Sequence, residues 1–155
     1  MVLETIEELI IYIDLDNFKR ISQEKGWISY RPNEITGTLT HLVRDFVRRY
    51  HAEVLLGLDE KRGTEECMLR LTGVLSYEEI IEDLQRILSK IKEIGKMCDC
   101  DATVSIGVAR GPFTEVKPTG PNQWSRKAIK GYTQRLARKA LKKAKKQGGD
   151  RIVFL

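Results

Sequence analysis

The chain has 155 residues, of which 41% are hydrophobic and 32% charged, with a formal net charge of +5. This length suits one domain with a real core, and no repeat or linker divides it, so we expect a single domain over residues 1–155. No apolar run is long enough to span a membrane, and the acidic N-terminal segment is unlike a signal peptide. Three cysteines, an odd number, favour a reducing compartment. We therefore expect a cytoplasmic protein with no membrane partner, whose charge favours an anionic partner such as a nucleotide.

The first predicted element is a buried strand. Residues 9–13 are continuously apolar and rich in β-branched side chains, which predicts a central strand covered on both faces. Asp14 and Asp16 follow directly, at the predicted end of that strand. A short helix is predicted over 18–24, for which Asp16 is a possible N-cap.

The later elements follow from the spacing of apolar residues and from turn residues. The Pro- and Gly-rich stretch 111–124 predicts a loop. In chain order the sequence predicts a helix over 34–50 capped by Asn33, strands over 52–58 and 67–73 joined by a charged hairpin loop, a helix after the N-cap Ser76, a strand over 102–110, a basic helix over 125–147 and a strand over 151–155.

This order predicts an α+β fold of the ferredoxin-like type. Its core is βαββαβ, with an antiparallel sheet, helices on one face and an extra C-terminal helix and strand. In that topology the first and third strands are antiparallel neighbours, so the end of the first strand meets the tip of the central hairpin. Asp14 is therefore expected beside the acidic hairpin loop.

Carboxylates that converge at this edge predict a metal site. Like charges at short range raise one another's pKa, and a hard divalent cation relieves their repulsion. Mg²⁺ or Mn²⁺ there would hold a nucleoside triphosphate for in-line attack on its α-phosphate. From spacing alone, a capping Asp16 and a solvated hairpin tip are the alternative. The acids concerned are Asp14, Asp59, Glu60, Glu65 and Glu66, and the lysines placed to neutralise phosphate are Lys19 and Lys145.

Three stretches resemble motifs of the GGDEF nucleotidyl cyclases, in the same order. They are "DLDNFKRISQEKGW" (14–27), "ATVSIGVA" (102–109) and "LARKALKKAKKQGGDRIVFL" (136–155). The same palm fold is shared by the large subunit of type III CRISPR complexes, by GTP cyclohydrolase III and by minimal CRISPR polymerases. The last group is most similar in length, and "NEITGTLTHLV" (33–43) resembles a segment of GTP cyclohydrolase III.

The resemblance implies roles for individual residues. Asp14 would be the first metal ligand and the Leu15 carbonyl a second, while Lys19 and Lys145 would contact terminal phosphates. The position that reads guanine in diguanylate cyclases is Ser22 here, which favours ATP over GTP.

The signature of the family's hairpin is replaced in this chain. "GTEEC" (63–67) would place Glu65 as the hairpin metal ligand, and "GLDE" (57–60) would place Asp59 there. Glu65 is preferred because the return strand should neighbour the strand of Asp14, and Asp59 stays open as the alternative.

The resemblance implies a Mg²⁺-dependent nucleotidyltransferase that makes a cyclic di- or oligonucleotide signal in prokaryotic antiviral defence. A ring of two nucleotides suggests two facing sites and therefore a homodimer, with an effector protein as the receiver of the product. The alternatives are a catalytically degenerate palm that binds nucleotide or RNA as a sensor, and an enzyme similar to GTP cyclohydrolase III.

Overall fold

The computed structural model describes residues 6–28, 31–73, 76–115 and 129–155. Parts of the predicted loop over 111–124 and of the predicted helix over 125–147 lie outside these residues. No helix in the described part of the chain is long and apolar enough to cross a membrane. The elements are β1 (Glu7–Asp16), α1 (Phe18–Lys25), α2 (Glu34–Tyr50), β2 (Glu53–Gly57), β3 (Glu66–Thr72), α3 (Tyr77–Met97), β4 (Thr103–Pro112), α4 (Tyr132–Lys146) and β5 (Ile152–Phe154).

One five-stranded sheet with the order β2-β3-β1-β4-β5 forms the centre of the domain. Strand β1 pairs antiparallel with both β3 and β4, which confirms the predicted α+β palm topology. The added strand β5 pairs with β4 in parallel, so the complete sheet is mixed.

Both faces of the sheet are covered, because side chains alternate along each strand. Leu9, Ile11 and Ile13 of β1 pack in a core with α1, α2 and α3. Ile10 and Tyr12 face the other way, into a smaller core with α4. The extra C-terminal helix therefore lies opposite the other three helices.

The close packing of α4 on the sheet depends on Gly107 of β4. A Cβ atom there would lie 2.3 Å from the carbonyl oxygen of Ala137 and 2.3 Å from the amide nitrogen of Leu141. Only a residue without a side chain lets the helix backbone approach the strand this closely.

The first strand is longer than predicted, and this changes the surroundings of the carboxylates. Asp14 and Asp16 lie within β1, not beyond its end. Asn17, in the left-handed conformation with φ 52°, separates the strand from α1, so Asp16 does not cap that helix. The strand continues because Leu15 is buried on one face while both acids point to the other. The predicted cap at Asn33 is confirmed, since its side chain accepts hydrogen bonds from the amides of Ile35 and Thr36.

Candidate active site at the end of the first strand

Two carboxylates from adjacent strands share the α4 face of the sheet. Asp14 of β1 lies directly opposite Glu66 of β3 and, on its other side, opposite Ser105 of β4. Directly opposed residues of antiparallel strands place their side chains on the same face. The Tyr12 hydroxyl, one pleat earlier on the same face, donates a hydrogen bond to Oε1 of Glu66. Tyr12 thereby fixes the Glu66 carboxylate beside Asp14.

The ammonium group of Lys145, near the end of α4, lies among the oxygens at this position. Its Nζ is 2.9 Å from Oδ2 of Asp14 and 2.8 Å from Oδ1 of Asp16. It also donates to the carbonyl oxygens of Leu15 at 2.8 Å and Asp14 at 3.3 Å. One cation is thus surrounded by two carboxylates and two carbonyls, including the two groups that the resemblance assigns to a metal.

Asp16 holds this arrangement in place. Its buried carboxylate accepts hydrogen bonds from the Thr103 and Ser105 hydroxyls, both at 2.7 Å, and from the Asp150 amide at 2.9 Å. Burial alone would raise the pKa of Asp16, but hydrogen bonds from Lys145, the Asp150 amide and the two hydroxyls bring it below the usual value. Asp16 is therefore a charged anchor that joins β1, β4 and the end of α4.

The second glycine of the pair after α4 is explained by this anchor. Gly149 adopts φ +75°, and a Cβ atom there would lie 2.7 Å from Oδ2 and 2.8 Å from Cγ of Asp16. Glycine is thus needed both for the left-handed backbone and for the close approach of the carboxylate.

We expect Gly149→Ala to cost about 2–4 kcal/mol of unfolding free energy, because backbone strain is added to a steric clash with Asp16. Gly26→Ala is a matched control, since Gly26 has φ +67° and a Cβ atom there would have no neighbour within 4 Å. That control should cost only about 1 kcal/mol. Urea unfolding of both variants measures the difference, and equal losses would show that the contact with Asp16 does not constrain position 149.

The ionisation of Asp14 differs from that of Asp16. Burial raises the pKa of Asp14 to about 6, the Lys145 charge and hydrogen bond oppose this rise, and the nearby Glu66 and Asp16 charges add to it. The negative charge of Asp14 is thus costly in the folded protein, as expected for a group that a cation would stabilise.

An open cleft of about 270 Å³ lies over these residues. Its floor carries the two carboxylates from the strands, and its wall carries three cations from α4. The full lining is Tyr12, Asp14, Glu66, Arg138, Leu141, Lys142 and Lys145.

The two predicted hairpin acids lie elsewhere in the structure. Glu65 immediately precedes β3, and its side chain lines a small cleft of about 10 Å³ that also contains Ser22, Asn33 and Thr36. Burial and the Glu66 charge raise the pKa of Glu65. Its backbone stays next to the site, since the Leu15 amide donates to the Glu65 carbonyl at 3.0 Å.

Asp59 is engaged within the hairpin loop. Its Oδ1 accepts hydrogen bonds from the backbone amides of Lys61 and Arg62 at 3.0 and 2.9 Å. Lys19 is exposed on the first turn of α1 and forms no hydrogen bond or ion pair with the described residues. Of the predicted site residues, the structure therefore brings Asp14, Leu15 and Lys145 into direct contact.

Three polar residues of the cleft were not predicted: Tyr12, Arg138 and Lys142. Glu66 was expected among the converging acids but not as the hairpin metal ligand. Glu66 is adjacent to the preferred Glu65 in the sequence, but a shift of one residue moves a side chain to the other face of a sheet. The two α4 residues could have been found from the sequence. Arg138, Lys142 and Lys145 recur at helical spacing, which places all three on one side of the helix.

The oxygens at the strand end fit a hard divalent cation. Asp14, Glu66 and the Leu15 carbonyl offer only oxygen donors, and the Lys145 ammonium already contacts two of these three groups. In the part of the chain that the structure describes, no group of three or more His, Cys, Asp or Glu side chains is placed to hold a metal. Two carboxylates and one carbonyl match the protein ligands of Mg²⁺, which commonly binds one or two carboxylates and completes its coordination with water and substrate phosphates.

No protein-family profile matches the sequence, and no curated protein is significantly similar to it. Solved structures are similar in fold. The coiled-coil and GGDEF domain of DgcB from Caulobacter crescentus, in complex with c-di-GMP, superposes with a TM-score of 0.61 at 13% identity, over 97% of this chain and 70% of that one. The active GGEEF domain of a diguanylate cyclase from Vibrio cholerae gives a TM-score of 0.58 at 19% identity, over 96% and 82%. The guanylyl cyclase Cya2 gives 0.53 at 11% identity, over 92% and 73%. The chain thus has the palm fold of GGDEF-like nucleotidyl cyclases, as its motifs predicted.

Proposed function

We propose that this protein is a divalent-cation-dependent nucleotidyltransferase that converts nucleoside triphosphates into a cyclic di- or oligonucleotide. One observation carries the proposal: on a palm fold, the Asp14 and Glu66 carboxylates face the cations of α4 across one cleft at the end of the central strand. Such a cleft suits a substrate that combines phosphates with a metal ion.

The cationic wall would bind the triphosphate. Lys145 forms an ion pair with Asp16, and Arg138 and Lys142 precede Lys145 on the same side of α4. Three positive charges in a partly enclosed cleft favour a polyanion, because electrostatic attraction is stronger where water is partly excluded.

Asp14, the Leu15 carbonyl and Glu66 would hold Mg²⁺ or Mn²⁺, with Glu65 or Asp59 as the alternative hairpin ligand that the sequence suggested. A bound ion would neutralise phosphate charge and orient the α-phosphate for attack by a 3′-hydroxyl, with pyrophosphate as the leaving group. Tyr12 would keep the Glu66 carboxylate directed into the cleft, and Asp16 would keep Lys145 beside the phosphates.

The small cleft on the opposite side of the strand end is the proposed base site. Ser22 lines this cleft with Asn33 and Thr36 and with the charged residues Arg31, Arg62 and Glu65. Since about 10 Å³ holds no more than a water molecule, the base would contact Ser22 at the mouth of the cleft and not inside it. With serine at position 22 we expect ATP to be favoured over GTP. A ring of two nucleotides suggests two facing copies of the site, so we propose a homodimer, an effector protein that binds the product, and a role in prokaryotic antiviral defence.

The test is incubation of the protein with each of the four ribonucleoside triphosphates and Mg²⁺ or Mn²⁺, followed by chromatography, mass spectrometry and a pyrophosphate assay. A cyclic product with one pyrophosphate per bond formed is the expected result, largest with ATP. A ring-opened guanine product would instead favour the cyclohydrolase alternative, and unchanged nucleotide would overturn the proposed activity.

For the Lys145→Met variant we predict a change in Mn²⁺ affinity as well as a loss of activity. The ammonium contacts the oxygens that would bind the cation, so its removal should tighten Mn²⁺ binding without nucleotide by about tenfold. The same variant should lose at least about 100-fold in nucleotidyl transfer, because a phosphate contact is missing.

Free Mn²⁺ measured by electron paramagnetic resonance gives the affinity. Lys142→Met is the matched control, because Lys142 lines the cleft without an ion pair to the described residues. Its Mn²⁺ affinity should change less than about threefold. An unchanged affinity in Lys145→Met would show that the ammonium does not compete for the cation position.

The same lysine supports a second candidate function, a palm domain that binds nucleotide without turnover. Lys145 occupies the position between Asp14 and the Leu15 carbonyl, and a protein that kept it there would bind triphosphate through charge alone. Binding of a triphosphate in EDTA with no product in Mg²⁺ would identify this function.

A further inference from the structure

Positive charge is concentrated in one helix of this protein. Helix α4 contains seven of the chain's 27 lysines and arginines and none of its 22 acidic residues. The helix therefore carries a formal charge of +7, while the rest of the chain has a net charge of −2. The positive charge of the whole protein is thus a property of α4.

Six of these cations form a continuous exposed stripe, which we call the α4 stripe. Positions three and four apart lie next to each other on a helix, and the twelve residues 135–146 extend about 17 Å along the helix axis. The opposite side of the helix is apolar and packs on the sheet through Ala137, Ala140, Leu141 and Ala144. The stripe consists of Arg135, Arg138, Lys139, Lys142, Lys143 and Lys146.

The stripe is unfavourable for the isolated helix. Like charges three or four residues apart repel, and cations near a helix N-terminus oppose the helix dipole. The first turn contains no acidic residue. Within the described residues none of the six cations forms an ion pair, whereas cations on α1, α2 and α3 do. A partner that supplies a row of negative charges would relieve this repulsion.

An exposed aromatic ring continues the stripe at its N-terminal end. Tyr132 is 56% exposed and lies three residues before Arg135, on the same side of the helix. A cationic surface that ends in an exposed aromatic ring is suited to single-stranded nucleic acid, with phosphates on the cations and an unpaired base stacked on the ring.

We propose that the α4 stripe binds single-stranded nucleic acid, with Tyr132 stacking on a base. A membrane is a poorer partner, since an interfacial helix inserts its apolar side, and that side of α4 is buried against the sheet. A duplex is also a poorer partner, because its paired bases offer no free face to Tyr132. The stripe shares Arg138 and Lys142 with the candidate active site, whereas Arg135, Lys139, Lys143 and Lys146 do not line that cleft.

The test uses a fluorescein-labelled 20-nucleotide polyuridine strand and anisotropy titrations in EDTA, at several salt concentrations. Binding should weaken steeply as salt rises, since each phosphate contact releases counterions. The triple variant Lys139→Gln/Lys143→Gln/Lys146→Gln, whose residues do not line the cleft, should bind on the order of 30- to 100-fold more weakly near 0.1 M salt and reduce the salt slope by about 2.

A matched triple variant removes the same charge elsewhere. Lys25→Gln/Arg48→Gln/Lys96→Gln changes exposed positions on α1, α2 and α3, and it should bind within about threefold of the unchanged protein. Tyr132→Ala should weaken binding about fivefold or more, and Tyr132→Phe should retain it. Asp14→Asn should bind the strand normally, which separates this surface from the proposed activity.

Three outcomes would overturn the proposal. Equal losses in the two triple variants would show that only net charge matters. Tighter binding to the polyuridine–polyadenosine duplex, or to vesicles containing phosphatidylserine, would show that the stripe serves a different partner. An unchanged affinity in the α4 variant would place strand binding elsewhere on the protein.

Discussion

Replacing Asp14 with asparagine is expected to abolish nucleotidyl transfer, by at least about 10³-fold, while making the protein more stable at neutral pH. Activity should be lost because the cleft then lacks the carboxylate that faces the phosphates and cation. Stability should rise because asparagine has the shape of the neutral acid, and the charge of Asp14 is unfavourable where it lies.

The sign of the pH dependence follows from the raised pKa. The pKa of Asp14 is about 6 in the folded protein against an ordinary value of 3.8, so the folded state binds the proton more tightly. Its contribution is favourable at low pH and is lost as the pH rises from about 4 to 6. At pH 7 the Asp14→Asn variant should therefore be more stable by on the order of 1–2 kcal/mol, after allowance for the water that reaches this side chain.

Thermal unfolding of both proteins in EDTA, from pH 4 to pH 8, measures this effect. The difference in melting temperature should grow between pH 4 and 6 and then stay constant. Asp16→Asn is the contrasting variant: the pKa of Asp16 is lowered, so loss of its charge should destabilise the protein. A less stable Asp14→Asn protein at pH 7 would show that the ion pair with Lys145 outweighs the cost of burial.

Replacing Arg70 with methionine is expected to cost about 3–5 kcal/mol of unfolding free energy, the largest stability effect of any substitution considered. The Arg70 side chain is only 4% exposed, and its Nε lies 2.8 Å from Oε2 of Glu8, which is fully buried. Arg70 also contacts Glu53 and donates to the Thr114 carbonyl at 2.9 Å. The variant would leave the Glu8 charge buried without its partner.

A second substitution distinguishes the lost partner from lost packing. Glu8→Leu/Arg70→Met removes both charges and should recover most of the stability, because a buried ion pair gains little over apolar residues of similar size. Burial already raises the pKa of Glu8, so the single Arg70→Met variant should also become more stable as the pH is lowered. Chemical denaturation of the unchanged protein and of the two variants at pH 5 and pH 7 measures this. A double variant as unstable as the single one would show that the arginine stem, not its charge, supports the sheet.

The fold could be predicted because the features that start and end its helices and strands lie in short stretches of sequence. The apolar run before Asp14, the spacing over 34–50 and the Asn33 cap determine where elements form, and their order leaves few topologies. The resemblance of three stretches to GGDEF motifs then identified the fold as a palm. The end of β1 was placed too early because Asp14 and Asp16 interrupt the apolar run. In the structure β1 continues beyond this run, and its side chains alternate, with the acids on one face of the sheet and Leu15 on the other.

By itself the sequence determined the palm fold, the position of Asp14 on the central strand and the basic character of the last helix. Only the tertiary structure decided which hairpin acid lies opposite Asp14, since moving the pairing by one residue exchanges Glu66 for Glu65 and turns the side chain to the other face. It also decided that α4 packs on the face opposite the other helices, which brings Lys145 to Asp14 across more than a hundred residues of chain. Such long-range contacts depend on strand register and helix packing, which no short stretch of residues specifies.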